Sequence, residues 1–212
     1  MRVGLLYSGG TDSTLAGLLL EPFYDVTCLC ASFGVTDDVE HALAAAAAVG
    51  WPARRLDLDE AVAREAVARM ATDGYPRNGI QRVHEHALEV AAGLAGAQDL
   101  AAVADGTRRD DRVPTVPREV AQSLEDRHGV AHLAPLAGVG SGARAAMAER
   151  ALERERGPSE AVPTGDYEGE LRALLATAHG EAAVGRVFPA HEQSRVTGRR
   201  TDGTAGPPTD GP

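Results

Sequence analysis

Residues 8–14 read SGGTDST, between the apolar run MRVGLLY at 1–7 and the apolar stretch LAGLLL at 15–20. A strand that runs into two glycines, an acid and several hydroxyls, and then into a helix, points backbone N–H groups and the positive end of a helix dipole at an anion. This order predicts a strand–loop–helix unit whose loop faces phosphate.

Two familiar versions of such a loop fail here. The Walker P-loop needs a Lys to reach the outer phosphates, and all 21 basic residues of this chain are Arg. The dinucleotide fingerprint needs G-x-G-x-x-G spacing, which SGGTDS lacks. What remains is a loop whose amides face the anion, with Ser8, Ser13 and Thr14 adding hydroxyl donors and Asp12 supplying an oxygen for a metal.

Outward from the loop, strands and helices alternate. Strands are expected at Met1–Tyr7, Tyr24–Phe33, Pro52–Leu58, Leu100–Ala104 and His132–Leu136. Helices are expected at Asp12–Leu20, Asp37–Val49, Asp59–Met70, Ile80–Leu94 and Pro114–Arg127, with Asp59 as an N-cap. This alternation predicts a parallel sheet covered on both faces. After Arg156 the character changes: GPSEAVPTG reads as a linker, Tyr167–Thr177 as a short amphipathic helix and Val187–Val196 as a basic-polar segment. The expected organisation is a core domain over 1–156, a helical extension packing on it over 157–196 and a disordered tail over 197–212.

The signature S-G-G-x-D-S, carried by Ser8, Gly9, Gly10, Asp12 and Ser13, resembles the pyrophosphatase loop of the N-type ATP pyrophosphatases, the PP-loop family of the adenine-nucleotide α-hydrolase-like fold. After the fourth strand, Gly106-x-x-x-Asp110-Asp111 is similar to the G-H-x-x-D-D segment of PP-loop enzymes that modify tRNA, with Thr107 where those families often carry His. The resemblance implies a three-layer α/β sandwich, HUP or Rossmann-like, with a five-stranded parallel sheet in the order 3-2-1-4-5. It implies ATP and Mg²⁺, with nucleotide held by Ser8–Thr14 (Thr11 and Thr14 included), by Gly106 and Thr107, and by the main chain at Ala31-Ser32-Phe33. Asp12, Asp110 and Asp111 are the implied magnesium ligands; Asp12, Ser13, Asp111 and Arg109 are the implied catalytic set, with Arg108 and Arg112 as further cations for phosphate. The order of motifs through the C-terminal segment resembles a stand-alone archaeal PP-loop family assigned to tRNA thiouridine modification.

The implied activity is adenylation of an acceptor oxygen with release of pyrophosphate, a tRNA base being the leading acceptor. Alternatives are a small-molecule amide-forming ligase or amidotransferase, and a non-catalytic ATP-binding sensor or subunit. Implied partners are ATP and either tRNA or a tRNA-modification protein, and a homodimer is one option.

Composition narrows the field. Net charge is −10, which normally opposes nucleic-acid binding, although an acidic, Arg-only chain also fits adaptation to a salty cytoplasm. No apolar run is long enough for a membrane span, and the chain enters a strand with no leader-like segment, so a cytoplasmic protein is expected. Its two cysteines, Cys28 and Cys30, cannot make a disulfide framework or a four-cysteine metal site; they lie two apart on a strand and read as small apolar core residues. His84 and His86 fall on different helix faces and make a poor metal pair. GYPRNGIQR at 74–82 is a turn-rich helix entrance placed to serve an acceptor pocket.

Overall fold

A computed structural model describes residues 1–200. Its main sheet is built from β1 (Arg2–Leu6), β2 (Asp25–Ser32), β3 (Ala53–Asp57), β4 (Leu100–Ala104) and β5 (Ala131–Leu133). All neighbours are parallel, in the order β3-β2-β1-β4-β5. The central strand is apolar and sealed because helices cover both faces, as parallel sheets require. Period-2 alternation then divides the core. Val3, Leu5, Val26, Cys28 and Cys30 point to one side, while Leu6, Leu29, Ala31 and Leu56 point to the other.

The first side is covered by α1 (Thr11–Leu20), α2 (Val39–Ala48) and later α7 (Ser141–Ala151). The second is covered by α3 (Glu60–Asp73), α4 (Arg77–Gly93), the single turn α5 (Ala95–Gln98) and α6 (Arg118–His128). Asp59 caps α3 as expected, its carboxylate accepting from the Ala61 N–H at 2.9 Å. The three-layer parallel α/β fold and its strand order are those expected from the sequence.

The C-terminal third differs from the sequence reading, which places no element between Leu136 and Tyr167. Besides α7, the chain forms β6 (Leu152–Pro158), α8 (Tyr167–His179), α9 (Glu181–Val187) and β7 (Glu192–Arg199). Strands β6 and β7 pair antiparallel as a separate two-stranded sheet. Their sequences, LERERGP and EQSRVTGR, carry no apolar alternation; backbone pairing and cross-strand contacts such as Arg195–Glu155 at 2.7 Å hold them. Such pairing joins residues some 40 positions apart in the chain, so no local pattern announces it. The linker assigned to 157–165 begins inside β6, and β7 extends through Thr197–Arg199, which the reading gave to the tail. The rest of that tail, 201–212, lies outside the described residues.

Leu171, Leu174, Leu175, Val184, Val187 and Phe188 of the C-terminal segment enter the same apolar cluster as Leu29, Leu56 and Val67. Among the described residues no helix is long and apolar enough to cross a membrane.

Candidate functional site

The loop Ser8–Gly10 leaves the carboxyl end of β1, and α1 begins at Thr11. Gly9 has φ +78° and lies so close to α2 that a Cβ there would sit 3.0 Å from Ala45 Cβ and 3.2 Å from Ala42 Cα. Gly10 provides no side-chain cap for α1, so the first N–H groups of the helix have no partner within it. The C-terminal segment takes the loop's carbonyls instead: Ser8 O accepts from Gly165 N at 3.0 Å and Gly9 O from Val196 N at 2.9 Å. The loop is thereby fixed with hydroxyl and N–H groups left to offer.

Its side chains divide by role. Ser8 and Ser13 share a hydrogen bond of 3.3 Å and, with Asp12, line a cavity of about 560 Å³. Thr14 is fully buried; its hydroxyl donates to Gly10 O at 2.8 Å and meets the Tyr7 hydroxyl at 3.0 Å. Thr11 turns outward to Ser194 at 2.7 Å. These two anchor the loop rather than line the cavity.

The loop after β4 meets the first one directly. A Cβ on Gly106 would lie 2.8 Å from Ser13 N and 3.0 Å from Ser13 Cα, so only glycine lets the two backbones come this close. The next residues pass Thr107 and Arg108 into the cavity. Arg108 bridges the two loops: Nη1 donates to Asp12 Oδ2 at 3.1 Å, while the N–H and Nε donate to Asp111 at 2.7 Å each. Arg109, the arginine expected to be catalytic, is exposed and outside the cavity lining. Sequence cannot choose between adjacent arginines, because the turn alone decides which of them points inward. Asp110 also turns away, paired with Arg144 at 3.0 Å, and this hydrogen bond holds its carboxyl below the usual range. Burial raises the Asp12 carboxyl, outweighing the nearby Arg108 and Arg144.

The end of β2 departs from expectation most clearly. Ala31 reaches the cavity, but Ser32 and Phe33 are buried behind it. Their donors are already engaged by Glu170 of α8, a buried carboxylate that accepts from Phe33 N at 2.8 Å, Val35 N at 2.9 Å and the Ser32 hydroxyl at 3.0 Å. The Phe33 N–H, one of the main-chain groups at Ala31-Ser32-Phe33 expected to hold nucleotide, is thus occupied by the protein itself.

The far wall holds side chains to which the sequence assigned no individual role. Tyr167, Glu168, Phe188 and His191 close the cavity from the C-terminal segment, and Ile80 and His84 of α4 with Pro76 just before it. The turn at 74–82 does therefore contribute to the cavity. The segment around Phe188–Arg195 folds back to the loop, yet Arg195 itself pairs with Glu155 and His41. On the floor, Asp105 is 1% exposed. Its Oδ1 accepts from Thr107 N at 2.8 Å and the Thr107 hydroxyl at 2.5 Å; its Oδ2 faces His132 Nε2 at 3.0 Å and His84 Nε2 at 3.3 Å. Burial alone would raise this carboxyl, but the bonds from His132 and His84 outweigh it and hold Asp105 far below the usual carboxylate range. A lone Asp at a strand end gives no sign of this, since its two histidine partners come from separate elements. Cys28 and Cys30 are fully buried away from the cavity, with thiols raised by burial.

Three comparisons bear on this site. A family model for a family of unknown function, DUF7411, matches residues 1–198. The uncharacterized protein MJ0690 of Methanocaldococcus jannaschii is 33% identical over 203 residues, 95% of this chain and 98% of its own length. A crystal structure from Methanocaldococcus jannaschii, of a "predicted subunit of tRNA methyltransferase", has a TM-score of 0.84 and 32% identity, and covers 95% of this chain and 100% of that one.

Proposed function

The chain belongs to the DUF7411 family of unknown function, and on that premise we propose that it is a PP-loop ATP pyrophosphatase that adenylates an acceptor oxygen, with a tRNA base as the leading acceptor. The observation that carries this reading is the meeting of the loops after β1 and β4 at the carboxyl ends of adjacent parallel strands, where open α/β sheets take ligands. One side of that meeting is an uncapped helix N-terminus with two serines; the other is Arg108.

Triphosphate suits the donors present. Ser8, Ser13 and the first amides of α1 would receive its oxygens, and Arg108 replaces Arg109 as the cation nearest them. Asp12 and Asp111 are hard oxygen donors that converge on one cation, the Arg108 guanidinium. Mg²⁺ commonly takes one or two carboxylates together with phosphates and water, so these two, without Asp110, are its ligands in this reading. Bound there, the ion would supply charge stabilisation for departing pyrophosphate. Gly106 and Thr107 border the nucleotide, and Ala31 is the part of β2 that reaches it. The tRNA acceptor draws support from the relative described as a predicted subunit of tRNA methyltransferase.

The test is α-³²P-labelled ATP incubated with the full chain, Mg²⁺ and total tRNA. Labelled AMP with stoichiometric pyrophosphate is expected. ADP as the main product would refute the reading, and ATP binding with no turnover on any acceptor would replace it with a sensor or subunit role.

A further inference from the structure

Among the described residues, Nδ1 of His84 has no hydrogen-bond partner, yet it is not among the sealed unpartnered atoms of the protein. Since His84 is 5% exposed and lines the cavity, this nitrogen opens into it. The other ring nitrogen is held from behind by Asp105, itself saturated by Thr107 and by His132. His132 does not line the cavity, so it positions the carboxylate rather than meeting a ligand. The ring edge of His84 packs against Tyr167 at 6.3 Å between centroids and 63° between planes. An imidazole held by a buried carboxylate on one nitrogen, with the other free toward a cavity, is the arrangement of a general base: the carboxylate fixes the tautomer and supports the cation formed.

We propose that His84 is the base of this cavity, set by Asp105, and that it serves an external nitrogen nucleophile rather than sulfur carried by the protein. The proposal rests on the adenylation reading for the identity of the bond it acts on. One observation and one chemical argument point to nitrogen. Both cysteines are locked in the core at 0% exposure, so neither can carry sulfur to the site. A sulfur nucleophile is also active as its anion and needs no base once ionised, whereas an amine must lose a proton as it attacks. In this step the nitrogen forms a bond to the carbon bearing the adenylated oxygen, and the bond from that carbon to the oxygen breaks. AMP leaves with the electron pair, and the proton from nitrogen passes to His84 Nδ1 and then to solvent. The titratable groups facing His84 are Asp105 from the loop after β4, His132 from β5 and Tyr167 from α8, with Asp12, Arg108, Asp111, Asp166, Glu168 and His191 also on the cavity wall.

The first arm of the test needs no acceptor. Diethyl pyrocarbonate acylates unprotonated imidazole nitrogen, and peptide mass spectrometry gives a rate for each of the seven histidines. His84 is expected to react at least as fast as exposed His179, and Asp105→Asn to slow it at least tenfold with His179 unchanged. Long-range ¹H–¹⁵N spectra of the wild-type chain at pH 8 should show His84 protonated on Nε2, a measurement that stands even if Asp105→Asn does not fold. An inert His84, or one protonated on Nδ1, overturns the proposal.

The second arm follows AMP release from ATP and total tRNA, with ammonium or sulfide added. Ammonium should stimulate release, and His84→Gln should cut the stimulated rate about 100-fold or more while Mg·ATP affinity stays within about twofold. Stimulation by sulfide that survives His84→Gln, or loss of ATP affinity alone, overturns it. Absence of AMP from the wild type under every condition counts against the adenylation reading, and the first arm then decides the base by itself.

Discussion

At the scale of single residues, charge and close approach decide the site. Asp105 accepts on both oxygens, and an amide can accept on only one. Asp105→Asn must therefore turn its NH₂ toward Thr107 or toward the two histidines, leaving buried donors facing a donor. Urea unfolding at pH 7 should show a loss of about 2–4 kcal/mol. Because the folded carboxyl lies below its unfolded value, its contribution is fully present above about pH 4 and declines as pH falls toward the folded value. The gap between wild type and variant should narrow below about pH 4; a gap that widened there would contradict the pairing. Gly106 makes the second case. Adding a methyl sets it 2.8 Å from the Ser13 nitrogen, against backbone rather than a movable side chain. Gly106→Ala should cost about 1–3 kcal/mol, read by thermal melting, and on the proposed adenylation reading should weaken Mg·ATP binding in titration calorimetry because it pushes the two loops apart. A variant that melts and binds like wild type would mean that the loops separate freely.

Between elements, the polar link from α8 to β2 is made by one side chain. Glu170 satisfies two main-chain N–H groups and the Ser32 hydroxyl in a buried place. Glu170→Gln presents an NH₂ to at least one of those donors, with an expected cost of about 2–3 kcal/mol. Hydrogen exchange should speed up locally at whichever of Phe33 and Val35 faces the new NH₂, because that N–H loses its partner while the sheet's own hydrogen bonds remain. Uniform acceleration across the sheet would instead mean that the bond supports the whole fold. The same contact explains why the end of β2 is not the open main-chain site that its position suggests. An acidic residue on a helix, 137 positions away from Phe33, reaches it first.

For the whole molecule, the C-terminal segment is part of the core and of the loop's support. A chain ending after Pro158 would lose Leu171, Leu174, Leu175, Val184, Val187 and Phe188 from one cluster and Val196 from the other. At about 1.5–3 kcal/mol for each buried apolar side chain, this is comparable to or larger than the roughly 5–15 kcal/mol by which a domain is stable. That truncation should leave the chain unfolded by circular dichroism, whereas one ending after Arg200 should unfold in a single transition like the full chain. A folded, cooperative shorter chain would show that 1–158 holds a sufficient core of its own. By itself the sequence determined the parallel three-layer fold, because strand–helix alternation and apolar period are local patterns that burial on both faces demands. The family resemblance carried by SGGTDST supplied the strand order that sets β1 beside β4, and with it the meeting of that loop with the Gly106 loop, since adjacent parallel strands end on the same edge. Only the tertiary structure decided that Arg108 and not Arg109 enters the cavity, that Glu170 closes the end of β2, and that His84 and His132 share Asp105. Each of these depends on which way a side chain turns, or on contact between residues far apart in the chain, and neither leaves a period or spacing to be read.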